Sequence, residues 1–130
     1  AYEIVDCDWS SDVCSSDLFY RVIWNAHLAE FSDLPASDRQ HAMDTVVVVE
    51  RALREALQPI KVNLAALGNL VPHLHWHVIA RFEGDSHFPQ PIWGVRQRDG
   101  DAALLQRLSA ALPAIDARLA SDLASAATTA

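Results

Sequence analysis

His73-Leu74-His75-Trp76-His77-Val78-Ile79 places an imidazole at every second position, and the alternation continues toward Phe82. A period of two belongs to a β-strand and is one that no amphipathic helix gives. The stretch His73 to Phe82 is therefore expected to be a strand, with His73, His75 and His77 on one face about 6–7 Å apart at ~3.3 Å rise per residue. Leu74, Trp76, Val78 and Ile79 are expected to pack the opposite face into the core and hold the row rigid.

Upstream, Ile60-Lys61-Val62-Asn63-Leu64 also alternates, and it runs through Ala65-Ala66-Leu67 to the turn residues Gly68-Asn69. The short connection to Pro72 predicts an antiparallel hairpin between these two strands. Further back, Phe19-Tyr20-Arg21-Val22-Ile23-Trp24 is dense in aromatic and β-branched residues and stops at Asn25, which predicts another strand with His27 just past its end. Ser37-Asp38-Arg39-Gln40 has the form of a capping box, so a helix is expected to start at Ser37. Met43, Val46, Val47, Leu53 and Leu57 then recur at helical spacing, and the helix is expected to end before Pro59.

Downstream, Glu83 to Asp99 is rich in Pro, Gly and charge and reads as an ordered loop, whereas Leu104 to Leu123 carries leucines and an isoleucine three or four apart. A C-terminal helix is expected there, interrupted at Pro113, with a frayed Ala/Thr tail. The sum is an α+β fold: an antiparallel sheet with a long helix packed on one face and a C-terminal helix. The expected organisation is an N-terminal segment 1–18, a domain 19–99, and the helix and tail 100–130.

Asp8-Trp9-Ser10-Ser11-Asp12-Val13-Cys14-Ser15-Ser16-Asp17-Leu18 has neither helical period nor strand alternation. Its composition is that of a Ser/Asp-rich loop, and it closely resembles the translation of a common sequencing-adapter oligonucleotide. On that reading native codons here were replaced by an assembly artefact, which resequencing the locus tests, and Cys7 and Cys14 then say nothing about redox compartment or metal.

Three imidazoles on one face suit phosphoryl or nucleotidyl transfer. Histidine titrates near neutrality, attacks phosphorus, and passes protons to leaving groups. A His-rich metal site is the rival, because a His-x-His pair on a strand chelates zinc well. Against it, Glu83 and Asp85 lie beyond the strand end, where a further ligand would be wanted. No metal and no cofactor are expected.

The whole motif matches the signature His-φ-His-φ-His-φ-φ, with φ apolar, and the chain resembles the histidine triad family of nucleotide hydrolases and transferases. The resemblance runs from about Phe19 to Gly94, through Arg21 to His27, the helix, Asn63 and Gly68-Asn69. It implies a homodimer with a nucleotide lying across the triad strand and cleavage at the α-phosphate. His75 matches the nucleophile that forms a nucleotidyl-histidine, its other ring nitrogen oriented by a backbone carbonyl. His73 and His77 match the flanking members that hold phosphate oxygens and help proton transfer, and His27 resembles the supporting fourth histidine. Asn63 resembles the amide near the scissile phosphate, with Gly68 and Asn69 where the family's loop meets phosphate oxygens. His at position 77 resembles the hydrolase branches, so water is the expected acceptor. Ala80 departs from the Pro of Ile-Pro-Arg versions, after the chemistry. Trp93 is expected to pack or to reach a dimer partner's site, and His41 and His87 are expected at the surface. The strand and turn before Phe19, which in the family hold ribose and base, coincide with the adapter-like stretch. A nucleotide-binding protein with little turnover is the alternative.

The whole chain sets the bounds. Its 130 residues are 51% hydrophobic and 21% charged, as in a one-domain globular protein. Runs such as Thr45-Val46-Val47-Val48-Val49 fall far short of the ~20 apolar residues of a membrane span, so no membrane is expected. A formal charge of -7 argues against nucleic acid as a partner, which needs many Lys and Arg. One small nucleotide needs only a few local donors. The start Ala1-Tyr2-Glu3-Ile4 has neither the basic nor the apolar region of a secretory signal and no initiator Met, so a cytoplasmic chain, or a fragment of one, is expected.

Overall fold

The computed structural model describes residues 2–6 and 19–129, with side chains for 19–126; residues 8–18, the adapter-like stretch, lie outside the described residues. The strand expected at Phe19–Trp24 is present as β2 and pairs antiparallel with β1 (Tyr2–Asp6), which alternation had not marked. β3 (Lys61–Ala65) and β4 (His75–Arg81) form the expected hairpin, and β2 pairs with β4 on its other side. The sheet is antiparallel throughout, in the order β1-β2-β4-β3.

β4 starts two residues later than the motif suggests. His73 and Leu74 precede it, because the His73 and Leu74 amides are drawn away to Val71 and Leu28 carbonyls at 2.8 and 2.6 Å. Leu74 is buried with Trp24, Leu34 and Ala42 beneath the first helix. The pleat then decides the two faces. Val22, Val62, Val78 and Ala80 lie on the helix-covered side, buried with Val46, Val49, Leu53 and Leu57 of α1 (Ala36–Leu57). Ile79, expected with them, falls instead on the histidine side, two residues beyond His77, and is buried there against Phe19 and Ile92.

α1 begins at Ala36, with Pro35 at the N-cap and no side-chain cap, so the expected capping box does not form. Ser37 and Gln40 sit inside the first turns, and Gln40 donates instead to Asp44 at 2.8 Å. The helix ends where expected, with Gln58 left-handed at φ 50° ahead of Pro59. α2 (Ala102–Thr129) is continuous through Pro113, not interrupted there. Proline lacks an N–H but leaves the rest of the ladder intact when packing holds the helix. Here Leu108, Ile115 and Leu119 are anchored in the α1 core on both sides of it. Asp101 starts α2, its Oδ1 accepting from the Ala103 and Leu104 N–H groups at 2.9 and 3.3 Å. No helix is long and apolar enough to cross a membrane among the described residues.

The loop over 83–99 is irregular but pinned. Asp85, fully buried, accepts from Arg81 Nε and Nη2 at 2.9 and 3.0 Å and from the N–H groups of Phe82, His87 and Phe88. Arg81 also donates to the Gln90 carbonyl, and Arg98 to the Asp85 and Phe88 carbonyls. This knot folds the loop back over the histidine side of the sheet, delivering Ile92 and Trp93.

Candidate active site

Two of the three triad histidines project from β4 on the face away from the helices. The His75 and His77 rings meet edge to face, centroids 4.9 Å apart. His77 is buried under Trp93, whose ring stands edge-on at 4.9 Å, with Phe19 tilted against it at 5.5 Å. His73 is not in that row. From the bend before β4 its ring stacks on His27 at 5.6 Å, with the two Nδ1 atoms 3.3 Å apart. A four-histidine cluster is thus assembled from β4, the bend before it and the turn after β2.

Backbone carbonyls fix the tautomers, because a carbonyl can only accept. His75 Nδ1–H donates to the His73 carbonyl at 2.6 Å, which leaves Nε2 as its basic nitrogen. His77 Nδ1–H donates to the Ala65 carbonyl of β3 at 3.3 Å, and its Nε2 is likewise the basic atom. His73 is turned the other way, Nε2–H donating to the Trp24 carbonyl at 2.5 Å. Its Nδ1 is then the acceptor for a proton on His27 Nδ1. Burial and the neighbouring His75 hold the His77 pKa below its ordinary 6.5, with Arg21 pushing the same way and the Ala65 carbonyl opposing. His77 therefore rests neutral near neutral pH.

A cleft of about 360 Å³ opens over His75 and His77, closed by Trp93 and by the loop from Leu67 to Val71. That is within the size range of small-ligand sites. Gly68 and Asn69 both line it, and Gly68 turns the loop at φ +78°, a conformation costly to any residue with a Cβ. Asn63 is on the triad face of β3, paired with Ile79, but lines a neighbouring cavity with Ile92 and Trp93, and its Oδ1 accepts from Arg81 Nη1 at 2.8 Å. His41 is exposed as expected. His87 is half-buried, its Nδ1 2.8 Å from Ser86 Oγ. No group of three His, Cys, Asp or Glu side chains could hold a metal ion among the described residues.

Sequence reasoning passed over Arg21 and Asp85. Arg21 stands directly opposite His77 across β2 and β4, a position that follows only from the register. Asp85 had been weighed only as a metal ligand.

A histidine triad at this strand, with the His75 ring oriented by the His73 carbonyl, is also where comparison with known proteins converges. The HIT domain matches residues 12–84, more than half of the chain. The chain belongs to the histidine triad family. It is similar to the histidine triad protein of Bradyrhizobium japonicum, at 33% identity over 86% of this chain and 81% of that one, with a TM-score of 0.67. A histidine triad (HIT) protein of Sinorhizobium meliloti aligns at 30% identity over 81% and 74% of the two chains, TM-score 0.61. One from Marinobacter aquaeolei aligns at 27% over 76% and 77%, TM-score 0.58. No curated protein gives a significant match. Histidine triad proteins bind nucleotides and are often hydrolases or transferases, and this chain shares their nucleotide-related function.

Proposed function

We propose that this histidine triad protein is a nucleotide hydrolase that cleaves at the α-phosphate of dinucleoside polyphosphates or nucleoside phosphoramidates. The observation that carries the proposal is the His75 Nδ1–H bond to the His73 carbonyl, which commits one ring nitrogen and leaves Nε2 as a nucleophile beside the cleft. Nε2 attacks phosphorus, an N–P bond forms, and the bond to the leaving group breaks. His77, when protonated at Nε2, gives that proton to the leaving group, and its lowered pKa favours the release. Water then attacks phosphorus while His77 Nε2 takes its proton, and the N–P bond breaks, freeing a nucleoside monophosphate and restoring neutral His75 and protonated His77.

His73 and His27 support the nucleophile from behind, while Gly68 and Asn69 border the space for phosphate oxygens, with Asn63 further along β3. Needing neither metal nor cofactor, the reaction should be indifferent to chelators. A homodimer is the expected assembly. β3 is a sheet edge, and Ile60, Leu64, Leu67 and Leu70 beside it are exposed apolar residues of a kind that pairing would cover.

His75→Ala is expected to abolish release of nucleoside monophosphate, and intact-mass measurement during turnover is expected to show a nucleotidyl adduct on His75 in the parent chain. Turnover surviving in the variant refutes the assigned nucleophile. Tight nucleotide binding without turnover in the parent chain would replace the hydrolase reading with that of a binding protein.

A further inference from the structure

The attacked phosphate brings negative charge to a site where one ring nitrogen of each triad histidine is committed to a backbone carbonyl and where burial and His75 lower the His77 pKa. A cation is needed to balance it, and the triad face of the sheet carries three candidates in β2, β3 and β4. Arg81 is buried and neutralised by Asp85. Lys61 is exposed and paired with Arg81, four residues along from His77, or about 13 Å at ~3.3 Å per residue. Arg21 is the third.

Arg21 stands in β2 directly opposite His77 and diagonal to His75, whose own cross-strand partner is Ile23. Opposite residues on one face have Cβ atoms about 4.5–5.5 Å apart and diagonal ones lie roughly 7–8 Å apart, well inside the span of an arginine side chain. Arg21 Nε is buried and has no hydrogen-bond partner among the described residues. A buried charged donor left unmatched is costly, and it calls for a reason. The guanidinium is one of the groups that act on His77, after burial and His75, so its charge is felt inside the triad.

We propose that Arg21 is the cationic substrate contact of this site, donating from its guanidinium to anionic oxygens of the phosphate seated on His75. This inference rests on the nucleotide reading above and deepens it. The planar fork of arginine suits phosphate oxygens better than a lysine would, and it meets the substrate from the β2 side while the Gly68 loop approaches from β3.

The test is calorimetric binding of AMP and of adenosine to the full chain and to Arg21→Gln and Arg21→Lys. Arg21→Gln is expected to weaken AMP on the order of 10- to 100-fold, the scale of a charge-assisted hydrogen bond, and to leave adenosine within about twofold. Arg21→Lys should recover part of the AMP affinity. NMR titration should show the His77 midpoint rising in Arg21→Gln as a facing positive charge is removed. Equal weakening of both ligands, as from a purely structural role, overturns the proposal, and so does AMP binding that the substitution leaves unchanged. A parent chain that binds neither ligand overturns the nucleotide reading itself, and this inference falls with it.

Discussion

Replacing Asp85 with alanine should be among the most damaging single changes in this protein, although Asp85 touches no triad histidine. Its carboxylate is fully buried and accepts two hydrogen bonds from Arg81 and three from the Phe82, His87 and Phe88 amides. Asp85→Ala leaves the Arg81 guanidinium, itself 2% exposed, with only the Asn63 and Gln90 oxygens and no counter-charge. Breaking a buried pair in this way costs about 3–5 kcal/mol. Against a total stability of about 5–15 kcal/mol for a domain, that is a large fraction. At roughly 3–6 °C per kcal/mol for a chain of this size, the midpoint of thermal unfolding followed by circular dichroism should fall by about 10–30 °C. The double variant Arg81→Met/Asp85→Leu should recover only the part of the loss that comes from the lone buried charge, since the Phe82, His87 and Phe88 amides still lose their acceptor.

The pH dependence of that loss is fixed in sign. Burial raises the Asp85 carboxyl, but Arg81 and the Phe82 and Phe88 amides outweigh it, so its pKa ends below the ordinary 3.8. A carboxyl lowered on folding contributes its stability above the unfolded value and loses it as pH falls through the folded one. The difference between parent and variant should therefore be flat from pH 5 to 8 and shrink only under acid conditions. A midpoint shift of less than about 3 °C at neutral pH refutes the role assigned to the pair.

Two further outcomes follow from other parts of the molecule. His77 should titrate below 6.5 by NMR; because its folded pKa is lowered, its neutral form contributes stability fully above 6.5, which is lost as pH falls through the folded value, and a midpoint at or above 6.5 contradicts the geometry. Asp101→Ala should cost about 1 kcal/mol in urea unfolding by uncapping α2, with Asp101→Asn near neutral, and an equal loss in both would show that the charge matters more than the cap.

Three of the four strands and both helices were legible because their apolar periods were clear: the alternation through Val78 and the three-four spacing through Leu53 and Leu57 are direct signatures of burial on one side, whereas β1 (Tyr2–Asp6) carried no such mark. What escaped the sequence was contextual. Ser37 had the chemistry of a cap, yet the chain enters the helix two residues earlier, behind Pro35, whose fixed φ already suits a helix start. Ile79 follows apolar Val78, so reading both as core ignored the strict pleat; the 83–99 loop supplies the second small core that buries it. His73 looked equivalent to the other two histidines because spacing carries no information about where hydrogen bonding to the Leu28 and Val71 carbonyls ends the strand. Arg21 resembled any polar residue of a strand until the register set it against His77.

The bond between the His73 carbonyl and His75 means that position 73 does two separable jobs. Its ring is a side-chain property that mutation can delete, but its carbonyl belongs to every amino acid. Relatives in which another residue occupies this position would keep an oriented His75 ring provided the bend survives, so the first histidine of the triad is the one whose loss this architecture should best tolerate.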